Sequence, residues 1–264
     1  MWETAFATVK ICRRGSFGMS AACQSTDICP GYDCETGIWP VLIVKTATIV
    51  LITGVIITAF TTPPPLAAMT AGGEASRLFY FHVPIAQVAF LSFMVAAVYA
   101  VAYLRTRRAE HDYAAVTSAE LGLAFSVVAM ITGALWAKQA WGAYWNWDPR
   151  QLFLFALILF YGAFFALRQA TAHLDARRRL SAVYLVFGGA ISPFLFFVLP
   201  RLYRSLHEDA NQVVLSGGSE STMSPLVATI FVTSIIGFLS LYLWLFKLGV
   251  AVARIEDGSR QEAG

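Results

Sequence analysis

The residues best suited to chemistry are concentrated in Trp141-Gly-Ala-Tyr-Trp-Asn-Trp-Asp-Pro-Arg150, where Trp141, Tyr144, Trp145 and Trp147 sit beside an acid-base pair, Asp148 and Arg150, between two long apolar runs. Trp and Tyr favour the lipid-water boundary, so an interfacial belt alone explains some of this clustering. A belt scatters its rings, however, whereas residues three and four apart are neighbours on a helix. The spacing therefore predicts a flat apolar bed of Trp141, Tyr144 and Trp145, with Trp147 less well aligned, on a short amphipathic helix or turn along the boundary. Such a bed suits a flat, apolar, anionic ligand, with Arg150 available to pair a carboxylate. Asp148 also has a structural reading. Asp-Pro-Arg-Gln ahead of Leu-Phe-Leu-Phe reads as N-cap, Pro at N1 and Gln at N3 of the next helix. Arg150 can equally face lipid headgroups.

Two histidines lie near predicted boundaries. His82, in Arg77-Leu-Phe-Tyr-Phe-His-Val-Pro84, is expected at the outer edge of a span, just before the helix that Pro84 opens. His207 follows Pro200-Arg-Leu-Tyr-Arg204-Ser-Leu, where Tyr203, Leu206 and His207 fit one face of an interfacial helix, with Arg204 one position off. A single histidine at a boundary is more often an interfacial polar group than a ligand. Two of them with nearby Arg77 and Arg204 offer imidazole for a metal and cations for acidic groups. His111 and His173 fall in loops expected on the opposite side, where they cannot share a site with the first two.

The elements that must position these groups are membrane helices. The 264 residues are 58% hydrophobic and 13% charged, against about a quarter charged in soluble domains. Six apolar runs, near 41–61, 79–104, 118–136, 150–167, 180–199 and 225–246, approach the roughly 20 residues that a bilayer requires. The expected fold is thus all-α: a polytopic membrane bundle of six transmembrane helices.

The net charge of +3 comes from short basic clusters between apolar runs and reports topology, not nucleic-acid binding. Arg105, Arg107 and Arg108 follow the second run, Arg168 and Arg177 to Arg179 the fourth, and Lys247, Arg254 and Arg260 the sixth. By the positive-inside rule both termini are cytoplasmic and the tryptophan segment faces outward.

The domain reading is a cytoplasmic, disordered extension over 1–40, a membrane domain over 41–246 with its aromatic loop at 137–149, and a cytoplasmic tail over 247–264. Cys12, Cys23, Cys29 and Cys34 lack the close pair and nearby histidine of a zinc site. Thr117-Ser-Ala-Glu120 reads as a capping box opening the third span. Gly122, Ser126 and Gly133 read as small residues that let helices approach. Ser192-Pro193 predicts a kink in the fifth span, which either shapes a cavity under the bed or serves helix packing alone. Ser224-Pro225 reads as the cap of the sixth.

Trp-Gly-x-x-Trp-x-Trp-Asp-x-Arg, led in by Gly133-Ala-Leu-Trp136, resembles the tryptophan-rich WWD signature of the haem-handling membrane proteins of cytochrome c maturation, the CcmC and CcsA families. Tyr-Phe-His82-Val-Pro84 resembles the HVP segment of CcmC, and the stretch at Leu206-His207 is similar to the one carrying the second essential histidine. Six spans favour CcmC, while Tyr144 and the Ala-Trp-Gly-x-Tyr-Trp form lean toward CcsA. The resemblance implies haem b as transported ligand, His82 and His207 as axial ligands, and the aromatics as bed, with Asp148 in the site and Arg150, Arg77 or Arg204 steering the propionates. It implies as partners a CcmE-type haem chaperone, a CcmA/CcmB-type ABC transporter, a small CcmD-type subunit and the bilayer. It also implies a delivery component and not an enzyme, because no nucleophile or poised base is evident. A permease-like subunit without haem, a CcsA-type lyase subunit and a membrane b-type cytochrome are the alternatives; the last requires mid-span histidines, which the predicted spans do not contain.

Overall fold

The computed structural model describes residues 38–64, 73–207 and 224–262. The cysteine-bearing segment and the loop after Pro64 lie outside the described residues, as do nearly all of the expected extension over 1–40 and the polar loop after His207. Met1–Ile49 and Val50–Gly264 are separate compact units. Helix α1 (Ile38–Thr61) begins in the first, where the hydroxyls of Thr46 and Thr48 return to the carbonyls of Leu42 and Val44. The other helices belong to the second.

Among the described residues there is no strand, and six segments are long and apolar enough to cross a membrane: Leu42–Thr61, Gly73–Thr106, Ala109–Trp141, Pro149–Ala170, Leu174–Leu202 and Pro225–Ser259. All six predicted spans are present in this six-span helix bundle. The helices are α2 (Phe79–Thr106), α3 (Ala109–Trp141), α4 (Pro149–Ala170), α5 (Leu174–Pro193), a short α6 (Leu199–Leu202) and α7 (Pro225–Glu262). A π-helical turn over Phe194–Val198 joins α5 to α6, so the fifth span changes its winding immediately after Pro193, the residue expected to disturb it.

Helix ends follow local chemistry. Gly142 adopts φ 82° and its N–H donates to the Lys138 carbonyl at 3.1 Å, stopping α3. Asp148 caps α4 by accepting the Arg150 N–H at 2.9 Å, with Pro149 at the first position as expected. Ser224 accepts the Val227 N–H at 3.3 Å and caps α7.

Several boundaries differ from expectation. A 3₁₀ turn over Gly73–Leu78 runs directly into α2, leaving Pro84 inside the helix. A proline there has no N–H for the Tyr80 carbonyl four residues back. The buried Ser234 hydroxyl donates to that carbonyl instead, satisfying it where no water is present. The expected capping box at Thr117–Glu120 lies well inside α3, which starts at Ala109 after only Arg107 and Arg108. Its side chains serve neighbouring helices. Ser118 donates to the Ser92 carbonyl at 2.7 Å and pairs the Tyr242 hydroxyl at 2.8 Å, while Thr117 fills the space that a Cβ on Gly249 would need. Residues 247–262, expected as a tail, continue α7.

The core forms where α2 packs against α3, α4 and α5. Phe93 stacks on Tyr161 at 3.8 Å and 9°, and Gly122 leaves room for it, since a Cβ there would lie 2.5 Å from Phe93 Cε1. At one end of the bundle, buried Asp112 accepts both guanidinium nitrogens of Arg168 at 2.8 and 3.1 Å and lies 3.7 Å from Arg178, which bonds Asp257 at 3.1 Å. These pairs tie the start of α3 to the end of α4, the start of α5 and the end of α7. The basic clusters that follow the second, fourth and sixth spans therefore share one end.

Candidate functional site

The opposite end of α3 carries the groups singled out by type. His82, in the first turns of α2, faces α3. Its Nδ1 lies 3.0 Å from the Ala129 carbonyl and 3.1 Å from Thr132 Oγ1. A carbonyl only accepts, so Nδ1 carries the proton and donates, leaving the Nε2 lone pair exposed. The Thr132 hydroxyl itself donates to the Val128 carbonyl at 2.9 Å, so its oxygen is an acceptor toward the imidazole.

The ring fits only because residue 133 is glycine: a Cβ there would stand 2.7 Å from His82 Cε1 and 3.3 Å from Nδ1. Gly133 is thus a requirement of the histidine and not merely a helix-packing residue. Trp136 closes the side of the ring, edge to face at 6.1 Å. Ala129 and Gly133 precede Trp141 by 12 and 8 residues, which places His82 about 12–18 Å along α3 from the tryptophan segment. It is an inter-helical residue inside α2, not one ahead of the helix as expected.

His207 lies beyond α6. The amphipathic helix expected from Pro200 to His207 ends at Leu202; Tyr203 is extended and the chain then turns. His207 Nδ1 is 3.1 Å from Asp148 Oδ1, and the ring meets Trp141 edge-on at 4.7 Å. A carboxylate accepts, so here too the proton is on Nδ1 and Nε2 is available.

Asp148 is the centre of this arrangement. Its side chain has no exposed surface, Oδ1 accepts from Arg150 N–H and His207, and Oδ2 accepts from Ser205 Oγ at 2.9 Å and Leu206 N–H at 2.7 Å. Burial works to raise its pKa, but the bonds from His207, Ser205 and Leu206 outweigh it and hold the carboxyl at about 2, against an ordinary 3.8.

His82 and His207 line one open cleft, about 690 Å³ when counted out to the solvent at its mouth, with Arg150, Gln151, Met130 and Phe196 among the other walls. Leu195, within the π turn, and Pro200, just after it, line it too. Gln151 was expected only as a helix-start residue. Its amide accepts the Asn146 N–H at 3.0 Å and donates to the Tyr144 carbonyl at 3.1 Å, fixing the loop from within.

The flat bed is not formed. Residues 142–148 are non-helical after the stop at Gly142, so helical spacing does not apply to them. Trp145 meets Trp147 at 83° and Phe155 at 77°, edge to face. Trp147 is 75% exposed, and Tyr144 is exposed with Lys138 Nζ 5.7 Å from its ring centre. Trp141 packs against the His207 ring and is not among the residues lining the cavity.

The outlying cations are elsewhere. Arg77 donates to the Ala59 and Thr62 carbonyls and to Glu74, securing the end of α1, and Arg204 is an exposed residue outside the cavity lining. Arg150 is the arginine on the cavity wall. His111, bonded to Thr106 at 2.7 Å, and His173, which precedes α5, belong to the other end of the bundle, as expected.

The arrangement provides two imidazole lone pairs, an apolar wall and one guanidinium in a single cavity, a set able to hold a metal-centred apolar anion. Comparison with known proteins agrees in kind. Residues 32–262 match the family model described as "CcmC: Heme exporter protein C". The chain is 29% identical to Heme exporter protein C of Rhodobacter capsulatus over 67% of its own length and 72% of the relative. It is 29% identical to that of Bradyrhizobium diazoefficiens over 72% and 73%, and 25% identical to that of Escherichia coli over 64% and 66%.

Proposed function

This chain belongs to the CcmC family of haem exporter proteins, and from that premise we propose that it binds haem through His82 and His207 and hands it on for covalent attachment to apocytochrome c. A role in haem export and cytochrome c maturation follows from the family, and the multi-pass membrane location from the family and six spans together. The observation carrying the site is that two histidines 125 positions apart (207 − 82) line one cavity, each with Nδ1 committed to an acceptor and Nε2 left for iron.

The residues present suit haem. Ala86, Leu154, Leu195 and Phe196 give the cavity an apolar lining for a porphyrin, and Arg150 supplies a cation for a propionate. Bound haem would supply an iron that takes nitrogen ligands; the protein's part is to orient the imidazoles, exclude water and present the edge near exposed Trp147. Trp147 and Tyr144, turned outward, form a contact surface for a haem-accepting chaperone of the CcmE type. The segregation of Lys and Arg at the opposite end supports an outward-facing site with both termini cytoplasmic. A CcmA/CcmB-type transporter and a CcmD-type subunit are the assembly partners of this reading, in which the chain delivers haem and catalyses no reaction of its own.

The test is the absorption spectrum of detergent-purified full chain loaded with hemin. His82→Ala and His207→Ala are each expected to change the low-spin bis-imidazole bands, and His111→Ala and His173→Ala to leave them as in wild type. Unchanged spectra in both of the first pair would rule the assignment out.

A further inference from the structure

The two histidines are backed differently. His82 Nδ1–H donates to a neutral peptide carbonyl and an alcohol, whereas His207 Nδ1–H donates to a fully buried carboxylate. That carboxylate is held by three further donors, Arg150 N–H, Ser205 Oγ–H and Leu206 N–H, all within 2.9 Å, so it cannot swing toward the cavity. Asp148 is also absent from the cavity lining, although Arg150 and Gln151 beside it are present. It therefore acts on a ligand in the cavity through the residues it holds, and the His207 imidazole is the one among them with a nitrogen to offer iron.

We propose that Asp148 is a positioning residue that makes His207 the stronger and His82 the yielding axial ligand, so that haem leaves by parting from His82 first. The proposal rests on His82 and His207 being the ligands. A charge-assisted hydrogen bond pulls the Nδ1 proton toward the carboxylate, increases electron density at Nε2 and fixes the plane of the ring. A more basic imidazole favours ferric over ferrous iron. The neutral carbonyl behind His82 fixes orientation but donates less charge, so the weaker of two otherwise similar bonds is on the α2 side. The acid of the tryptophan motif then acts on retention of the cargo without touching it.

The experiment measures the haem midpoint potential and ferric haem dissociation in the detergent-purified, hemin-loaded full chain. Asp148→Asn is expected to weaken ferric haem retention about 10–100-fold, the usual cost of losing such a partner. If ferrous binding is spared, the midpoint rises by about 59 mV for each tenfold. His111→Ala, at the other end of the bundle, is expected to leave both in place.

A second arm keeps Asp148 intact in case its variant does not fold. In His207→Gly, added imidazole should restore the wild-type potential, while 1-methylimidazole, which has no N–H to donate, should give the raised value. Equal potentials with imidazole and 1-methylimidazole, or an unchanged potential in folded Asp148→Asn, would overturn the proposal. A His207→Gly spectrum identical to wild type would overturn the ligand assignment itself, and this inference with it.

Discussion

Gly133→Ala should damage the haem site through a single methyl group. The new Cβ would stand 2.7 Å from His82 Cε1, whereas ordinary contact begins at 3.4 Å, so the ring must retreat by about 0.7 Å. Retreat from α3 is opposed by the ring's own hydrogen bonds to that helix, since Nδ1 is 3.0 Å from the Ala129 carbonyl and 3.1 Å from Thr132. The movement must stretch or bend those bonds, because α3 supplies both the obstacle and the acceptors. Overpacking of this kind costs about 1–3 kcal/mol of stability. A displaced ligand histidine should reduce haem affinity by about 10–100-fold, the range found when the support of a metal ligand is lost. Hemin titration of the purified protein, with thermal unfolding alongside, reads both quantities. Gly122→Ala serves as the comparison: it confronts Phe93 at 2.5 Å and should cost stability while leaving the haem spectrum intact. Wild-type affinity in folded Gly133→Ala would refute the claim that this glycine exists for His82.

Two further outcomes follow from charge. Asp112→Asn leaves Arg168 and Arg178 at the far end of the bundle without their shared buried anion, and thermal melts in detergent should register a loss of about 3–5 kcal/mol, with the haem spectrum of the folded fraction unchanged. Asp148 has a folded pKa of about 2, below its ordinary 3.8, so the stability it confers is fully present above about pH 4 and is lost as pH falls toward 2. Melts at pH 5 and pH 2.5 should show up to about 2 kcal/mol of acid destabilisation that Asp148→Asn lacks.

What the sequence disclosed depended on whether a signal was local. Apolar runs locate all six spans because bilayer thickness sets helix length, and the caps at Asp148 and Ser224 are legible because a cap involves neighbours in the chain. The second apolar run starts at 79, where α2 begins, but Pro84 reads as opening the helix because proline suits a first turn; the Ser234 hydroxyl, 154 positions from Tyr80, serves the carbonyl that a proline inside the helix leaves free. Thr117-Ser-Ala-Glu120 has the form of a cap, yet in a buried helix the same hydroxyls are equally useful between helices. Gly133 was visible as a small residue, but its partner lies 51 positions upstream (133 − 82), beyond any pattern of spacing. Gly142 did offer a usable signal. A glycine in mid-segment is a common helix stop, and it undercuts the assumption of helical spacing from Trp141 to Trp147.

The missing bed gives the tryptophan motif a different meaning. Trp147 has φ 56°, a left-handed conformation that a bulky side chain adopts only when its surroundings impose it, at a cost of about 1–3 kcal/mol. The residues on either side impose it. Gln151 clamps Asn146 N–H and the Tyr144 carbonyl, and the buried carboxylate of Asp148 fixes the chain immediately after. The loop is therefore rigid at its acid and its glutamine, while the indole it forces outward is 75% exposed. A ring meant only to fill the interior would not need such a backbone, and one meant only as a lipid anchor would not need a buried carboxylate behind it. Strain localised at an exposed aromatic, next to the acid that orients His207, puts the surface that would meet an acceptor and the ligand that retains the cargo on one rigid segment. On the proposed ligation, a partner pressing on Trp147 would act on the same frame that holds His207, and release of haem would depend on which imidazole that frame lets go.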